Sequence, residues 1–183
     1  MRSRSRHSCA GSDSPKATWK ICGKPVTVAR VHLAAAQPRY LLINTGNANA
    51  GTGRQGLLDA EDACRALATL TGCAPDAVLP FSTGVIGEPL PLDRLTAGLP
   101  AALAALRPEG WSAAAHGIMT TDTRPKWASR QLTLAGTPVT VTGIAKGAGM
   151  ICPDMATLLV FIATDAMADE ALLQQILDEA VAD

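Results

Sequence analysis

The sequence predicts an α/β or α+β fold, and three observations carry this prediction. Short apolar segments such as Val78 to Phe81 have the length and composition of strands. Longer segments, of which Leu57 to Leu70 is the clearest, have apolar residues at helical spacing. Polar, glycine-rich segments follow the strands, as they do in layered α/β proteins. The sequence therefore contains both strands and helices, with polar loops at the ends of strands.

Six segments have the pattern of strands. Pro25 to Arg30 (PVTVAR) alternates β-branched residues, and Tyr40 to Ile43 is a short apolar run that stops at Asn44. Leu158 to Ala163 is continuously apolar, which predicts a strand buried on both faces. The remaining strand segments are Val78 to Phe81 and a hairpin of Gln131 to Leu134 and Thr137 to Thr142 around Ala135 and Gly136.

Three segments have the pattern of helices. Leu57 to Leu70 carries acidic residues early, and Gly72 follows it as a stop signal. Leu92 to Leu106 is rich in Ala and Leu, and we expect a break near Gly98 to Pro100 because proline removes a helical hydrogen bond. Glu170 to Val181 is predicted to form the last helix.

Composition indicates a globular protein and narrows its partners. Apolar residues make up 48% of the chain, and the formal net charge is zero. A neutral chain offers no general attraction for nucleic acid or an anionic membrane, and 3% aromatic residues argue against base stacking. No segment has the apolar length of a transmembrane helix. We therefore expect neither nucleic acid nor membrane as a partner, and a cytoplasmic location.

The cysteines and histidines do not form a recognisable site. The five cysteines are irregularly spaced and contain no CxxC, so buried thiols in a reducing compartment are expected. His7, His32 and His116 lack metal-ligand spacing, and we expect no metal. Asp122 and Asp165 are single carboxylates that do not form an evident carboxylate pair in the sequence.

The chain divides into a leader and one domain. Residues 1–20 begin with a basic Arg/Ser run that no apolar segment follows, so they are predicted to be a disordered or foreign leader. Residues 21–183 are predicted to form a partial domain.

Thr157 is the strongest candidate for chemistry. It follows the small residue Ala156 and opens an apolar strand, where an unpaired hydroxyl is costly. If the Ala156–Thr157 bond were cut, the freed α-amine, with a pKa of about 8, would serve as general base for the Thr157 hydroxyl. An ordinary strand threonine remains the alternative from these residues alone.

Three other residues or motifs have a chemical and a structural interpretation. Ser82 to Gly87 (STGVIG) has donors suited to an oxyanion, or it is a plain turn. Lys146 offers a charge for a substrate carboxylate, or it is a solvated loop lysine. Thr120 offers a hydroxyl to a substrate, or it lies at a strand edge.

The segment from Lys146 to Ala166 closely resembles the cleavage-site motif of the ornithine acetyltransferase family, the ArgJ-type arginine biosynthesis bifunctional proteins. The family pattern reads KGSGMI, then PxMAT, then an apolar strand that ends in TDA, and Ala148 stands where serine is frequent. The matching positions are Lys146, Gly147, Gly149, Met150, Ile151, Pro153, Met155, Ala156, Thr157, Thr164, Asp165 and Ala166.

Three further segments resemble the same family in the same order, so the resemblance runs from about Ile21 to Asp183. Asn44 to Gly53 resembles its NxGNANAxTG loop, with Gly51 where cysteine is common; we give this loop no catalytic role. Ser82 to Gly87 resembles its oxyanion-hole loop. Ile118 to Lys126 (IMTTDTRPK) resembles its substrate-side IMTTDT motif.

The resemblance implies a role for each matched residue. Thr157 is the nucleophile, released by self-cleavage at Ala156–Thr157, and Thr83 and Gly84 form the oxyanion hole. Thr120 and Lys146, together with Thr157, contact the substrate.

The resemblance also implies a fold and an activity. The fold is a layered αββα sandwich of the ArgJ/DmpA-like type, incomplete in this chain. The activity is acetyl transfer from N-acetylornithine to glutamate through an acetyl-threonine, in a cytoplasmic α/β heterotetramer formed after cleavage. No cofactor is implied, and acetyl-CoA is an alternative acetyl donor used by some members.

Two other functions remain open. An N-terminal-nucleophile aminopeptidase or amidohydrolase of related fold also cleaves before a hydroxyl residue, although IMTTDT and NTGNANAGTG together are not expected in it. A non-catalytic chain that needs a C-terminal half is the other alternative. Because family members are considerably longer, we expect this chain to be a fragment that exposes apolar surface and has little activity alone.

Overall fold

The computed structural model describes residues 23–148 and 158–182. A 3₁₀ turn at Pro75–Ala77 precedes the second strand. The helices and strands, in chain order, are α1 Lys24–Ala35, β1 Tyr40–Asn47, α2 Gly53–Thr71, β2 Val78–Val85, α3 Leu92–Ala104, α4 Trp111–Gly117, β3 Lys126–Leu134, β4 Thr137–Lys146, β5 Leu159–Thr164 and α5 Glu170–Ala182. No helix among these described residues is long and apolar enough to cross a membrane.

The strands form two sheets. β1 and β2 pair in parallel, in register from Tyr40 opposite Val78 to Gly46 opposite Gly84. β3, β4 and β5 form an antiparallel sheet in that order. The predicted hairpin is confirmed: Ala135 and Gly136, both at positive φ, join β3 to β4, as the twist of a tight hairpin requires.

Helices cover one face of the β1–β2 sheet and the second sheet covers the other. Val28 of α1, Cys64 and Leu67 of α2, and Leu99 of α3 form a core with Val78 of β2. On the opposite face, the ring of Phe81 meets that of Phe161 edge-on, with centroids 5.0 Å apart. Ile43 packs there with Ala115, Ile118 and Ile144. The layered α/β prediction is thus confirmed.

The predicted strand at Pro25 to Arg30 is wrong, because these residues belong to helix α1. Pro25 lies in the first turn, where a missing N–H costs nothing. Residues four apart share a helical face, so Val28 enters the core while His32 Nδ1 lies 2.7 Å from the carbonyl oxygen of Val78. Packing of this face outweighs the β propensity of the valines.

The predicted break at Gly98 to Pro100 is also wrong, because α3 continues through both residues. Proline removes one hydrogen bond from the helix, while the adjacent Leu99 is buried in the core. Burial of Leu99 on α2 and the alanines that follow compensate for the lost bond.

The polar motifs that begin at Asn44 and Ser82 were predicted to be loops, but their first residues belong to strands β1 and β2. The parallel pairing continues to Gly46 and Gly84, so Asn44–Asn47 and Ser82–Val85 are strand residues. Pairing with a neighbouring strand satisfies their backbone groups, which composition alone does not reveal.

β5 is present, but the prediction that both its faces are buried is wrong. Phe161 contacts the other sheet, whereas Val160 and Ile162 remain 49% and 60% exposed. β5 pairs only with β4 among the described strands, so it lies at the edge of an antiparallel sheet. The predicted helix after β5 is confirmed as α5, and its large apolar side chains are also exposed: Leu172, Leu173, Ile176, Leu177 and Val181.

Candidate active site

A cavity of about 650 Å³ opens where four segments of the chain meet. Two of them are the carboxyl ends of the parallel strands β1 and β2, which lie side by side. The third is residues 119–121, after α4, and the fourth is residues 146–148, at the end of β4. Ligands commonly bind at such an edge of an α/β sheet.

Lys146, the last residue of β4, is buried at this cavity with 4% of its surface exposed. Its Nζ donates one hydrogen bond to Thr83 Oγ1 at 2.9 Å and another to Thr120 Oγ1 at 2.8 Å. No carboxylate of residues 23–148 and 158–182 forms a salt bridge with it. Burial of a cation without an opposite charge is costly, so this ammonium group favours an anionic ligand.

Thr83 and Gly84 lie at the end of β2 on the same cavity wall. Thr83 accepts from Lys146, and its own hydroxyl proton remains able to donate. Gly84 has φ of 138°, and a Cβ at this position would lie 2.3 Å from the carbonyl carbon of Gly46. Only glycine allows β1 and β2 to approach this closely, so Gly84 has a packing role whatever its chemistry.

Asp122 has an ion-pair partner in Lys126. Its Oδ1 accepts hydrogen bonds from Lys126 Nζ and from the N–H of Gly147, the latter at 2.9 Å. Lys126 Nζ also donates to the carbonyl oxygen of Gly147 at 2.7 Å. Asp165 has no ion pair in the described part of the chain, and it accepts from the Thr140 N–H at 2.7 Å.

The pKa of Asp122 reflects this environment. Desolvation is the largest single influence and raises the pKa. Hydrogen bonds from Lys126 and from the backbone N–H groups of Gly147 and Thr120, together with the Lys126 charge, outweigh it and lower the pKa to about 2. Asp122 is therefore ionised at any pH at which enzymes ordinarily work.

The Asn44 to Gly53 segment has a structural role. Asn49 is fully buried and donates from Nδ2 to the carbonyl oxygen of Gly56 at 2.7 Å, while its Oδ1 accepts from Thr52 Oγ1 at 2.8 Å. Asn47 Nδ2 donates to the carbonyl oxygens of Glu88 and Pro89. These amides hold the start of α2 and the segment after β2 in place.

The thiols of α2 and of the turn after it are free. Cys64 is buried and Cys73 is half-buried. Desolvation and the charge of Glu61 raise the pKa of Cys64 to about 12, against the opposing charge of Arg65. Cys64 is thus a core residue. In residues 23–148 and 158–182, no group of three or more His, Cys, Asp or Glu side chains is arranged to hold a metal ion.

Four of the residues singled out from the sequence therefore line one cavity: Thr83, Gly84, Thr120 and Lys146. Ala156 and Thr157 lie outside the described residues. The Asp122–Lys126 pair was missed from the sequence. Its only signal was an acid and a base four positions apart in DTRPK, where Pro125 argues against a helix that would bring them together.

Sequence comparison identifies relatives over nearly the whole chain. A sequence model of the ArgJ family matches residues 8–183. The arginine biosynthesis bifunctional protein ArgJ of Methylococcus capsulatus is 62% identical over 161 residues, 88% of this chain and 39% of that protein. The protein of the same name from Pseudomonas syringae pv. tomato is 54% identical over 172 residues, 92% of this chain and 42% of that protein. The chain thus spans about two fifths of the length of these curated relatives.

Solved structures resemble the fold. The crystal structure of arginine biosynthesis bifunctional protein ArgJ from Bacillus halodurans superposes with a TM-score of 0.66 at 38% identity, over 76% of this chain and 73% of that chain. The ornithine acetyltransferase of Mycobacterium tuberculosis, solved in complex with ornithine, gives a TM-score of 0.62 at 30% identity. That match covers 80% of this chain and 74% of the other.

Proposed function

This chain belongs to the ArgJ family, and on that premise we propose that it forms the oxyanion and carboxylate-binding side of an acetyltransferase centre. The complete enzyme transfers an acetyl group from N-acetylornithine to glutamate. Thr157 carries the acetyl group between the two substrates.

The observation that carries this proposal is the burial of Lys146 in an environment where no described residue forms a salt bridge with its ammonium group. N-acetylornithine and glutamate both carry an α-carboxylate, which supplies the negative charge that the described residues do not. Thr83 and Thr120 hold the ammonium group from two sides, so its third N–H is available to a ligand. One site therefore serves both substrates in turn.

Chain connectivity supports Thr157 as the acyl carrier. Leu159 of β5 lies opposite Lys146 of β4 in the antiparallel sheet. Thr157 precedes Leu159 by two positions in the sequence, and two residues span at most about 7 Å, which supports assigning the acyl carrier to this residue. The oxyanion donors of the proposal, Thr83 and Gly84, line the same cavity as Lys146.

The proposed chemistry begins with self-cleavage. The Thr157 hydroxyl attacks the carbonyl carbon of Ala156 and replaces the amide by an ester, and water then hydrolyses the ester. The products are a carboxylate on Ala156 and a free α-amine on Thr157. This amine, with a pKa of about 8, then accepts the proton of the adjacent hydroxyl.

Acetyl transfer follows in two half-reactions. The Thr157 oxygen attacks the acetyl carbonyl of N-acetylornithine, and Thr83 and Gly84 donate to the oxyanion, each such donor contributing roughly 3–4 kcal/mol. Ornithine leaves with the proton, and the α-amine of glutamate then takes the acetyl group from Thr157. The proposed reaction needs no cofactor, and acetyl-CoA is a candidate second acetyl donor. The cleaved chains assemble as an α/β heterotetramer in the cytoplasm.

Mass spectrometry of the full-length protein tests this proposal. After brief exposure to N-acetylornithine, we expect one acetyl group on a peptide that begins at Thr157, and loss of that acetyl group when glutamate is added. The Thr157→Ala variant should remain uncleaved and unlabelled, whereas Thr157→Ser retains both hydroxyl and amine and should still be labelled. An unlabelled Thr157 peptide would refute the covalent step, and release of acetate to water in the presence of glutamate would indicate an amidohydrolase.

A further inference from the structure

We infer that the Asp122–Lys126 ion pair is a positioning device that sets the distance between Lys146 and Thr120 across the cavity. The inference rests on the proposed function, because it assigns these two residues to substrate binding. Neither Asp122 nor Lys126 lines the cavity itself. The pair therefore influences the cavity indirectly, through backbone groups at or next to the residues that line it.

The pair holds both polar groups of one peptide position. The N–H of Gly147 donates to Asp122 Oδ1 at 2.9 Å, and the carbonyl oxygen of Gly147 accepts from Lys126 Nζ at 2.7 Å. Gly147 directly follows Lys146 and has φ of 148°, a conformation that side chains rarely adopt. Without these hydrogen bonds, the glycine would allow the end of β4 to change conformation. The ion pair holds the Gly147 backbone and thereby fixes the orientation of Lys146.

The same carboxylate reaches the other side of the cavity. Asp122 Oδ2 lies 3.4 Å from the backbone nitrogen of Thr120, which donates to it. Thr120 in turn accepts from Lys146 Nζ. Asp122 thus joins the backbone of both cavity walls, and the Lys146–Thr120 hydrogen bond closes a ring of contacts.

Lys126 and Lys146 differ in whether a carboxylate is paired with them. Asp122 neutralises Lys126, so Lys146, which faces the cavity, is left without an opposite charge among the described residues. The Asp122 side chain is 1% exposed and that of Lys126 is 44% exposed. Loss of Lys126 would leave a buried carboxylate near Lys146, which would then compete with the substrate for the ammonium group.

Amide hydrogen exchange of the full-length protein tests the positioning without reference to activity. We expect the Gly147 N–H to exchange about tenfold faster in Asp122→Asn than in the parent, since a neutral acceptor holds it less firmly. Lys126→Met should have a similar effect, and Lys126→Arg, which keeps charge and donors, should have little. The matched control is Asp59→Asn, because Asp59 is also buried and hydrogen-bonded but lies in α2, outside the cavity lining.

Steady-state kinetics then tests the consequence. We expect Asp122→Asn and Lys126→Met to raise the KM for N-acetylornithine about tenfold while kcat falls by less than about threefold, because a misplaced Lys146 weakens carboxylate binding in ground and transition states alike. Asp59→Asn should lower thermal stability without changing KM, and Lys126→Arg should restore the parental KM.

Two results would overturn the inference: unchanged Gly147 exchange in both Asp122→Asn and Lys126→Met, or an equal rise in KM in the Asp59→Asn control. If the parent protein transfers no acetyl group at all, the proposed function fails, and Gly147 exchange alone then decides whether the pair positions this backbone.

Discussion

The Asn44 to Gly53 segment and the cavity wall formed by Thr83, Thr120 and Lys146 are both polar and partly buried, yet they differ in how their polar atoms are used. In the first, Asn47 and Asn49 direct their amides to backbone carbonyls within the fold. In the second, a buried ammonium group donates to two hydroxyls and has no carboxylate partner in residues 23–148 and 158–182. A fully satisfied set of polar groups stabilises the fold, whereas an unmatched charge indicates a place for a ligand.

Glycine does not distinguish the two regions. A Cβ on Gly56 would lie 1.9 Å from Thr52 Oγ1 and 2.3 Å from Asn49 Oδ1, and a Cβ on Gly84 would lie 2.3 Å from the backbone of Gly46. Both glycines are required by close packing. A glycine-rich motif therefore indicates only that two chain segments pack closely. The charge of Lys146 is what indicates which of the two regions binds a ligand.

The largest effect is expected for Lys146→Met in the full-length enzyme. Removal of the unmatched cation should lower kcat/KM for N-acetylornithine about 100-fold or more, because the substrate carboxylate loses its buried partner. Thermal stability should stay the same or increase, since the cost of burying the charge disappears. Kinetics and thermal unfolding of the same preparation measure both.

Arg130→Met is the matched control, because Arg130 is an exposed cation on β3. It should change neither quantity. A Lys146→Met enzyme with parental kcat/KM would show that the carboxylate binds elsewhere and would remove the basis of the comparison.

The opposite pattern is expected for Asn49→Ala. This change removes hydrogen bonds to Gly56 and Thr52 from a fully buried side chain at φ of 44°, a conformation that alanine adopts less readily than asparagine. The free energy of unfolding should fall by about 2–4 kcal/mol, whereas the KM of the folded enzyme should not change. Chemical denaturation measures the loss. Gln37→Ala is the control, because Gln37 has an exposed side-chain amide in a loop, and this variant should leave the free energy of unfolding unchanged. A change in KM beyond threefold would give the Asn44 to Gly53 segment a part in binding.

The sequence predicted local elements better than it predicted packing. Helix α2 and the hairpin followed from spacing and turn residues, and Thr83, Thr120 and Lys146 were brought together by family resemblance rather than by any rule of spacing. The helix at Lys24–Ala35 could not be read from its alternating valines, because packing against α2 and β2 decides between helix and strand there.

Three further features were not predicted, each for its own reason. The apolar run of β5 predicts burial, but exposure of Val160 and Ile162 depends on which layers are present. The short helix at Trp111–Gly117 was not predicted, although its alanines favour a helix, because seven residues give too little periodicity. The Asp122–Lys126 contact depends on a turn that contains Pro125, and no helical or strand spacing describes it.

Asp122 shares a feature with each of the two regions. Its oxygens accept hydrogen bonds within the fold, like the amides of Asn47 and Asn49, but it carries a charge, like Lys146. The pKa of Asp122 is about 2 in the folded protein and 3.8 in an unperturbed carboxyl. The unfolded state therefore binds more protons between these values, so stability from Asp122 is complete above about pH 4 and is lost as pH falls through 2. Relative to Asp122→Asn, the parent should be more stable at pH 6, and urea unfolding should show the difference shrinking below pH 4. A constant difference across this range would contradict the lowered pKa.

The smallest effect is expected for substitution of a glycine that neither close packing nor a ligand requires. At such a position the effect of backbone conformation can be measured without the effect of side-chain contacts. Gly98 is exposed within α3 and Gly72 ends α2, and nothing lies within 4 Å of a Cβ built on either. Gly72 has φ of 67°, whereas Gly98 has ordinary helical backbone. Gly98→Ala should therefore raise the free energy of unfolding by about 0.5–1 kcal/mol, and Gly72→Ala should lower it by about 1–2 kcal/mol. Equal effects in thermal unfolding would mean that φ at Gly72 is not what selects glycine there, and the same argument would then weaken for Gly147 beside Lys146.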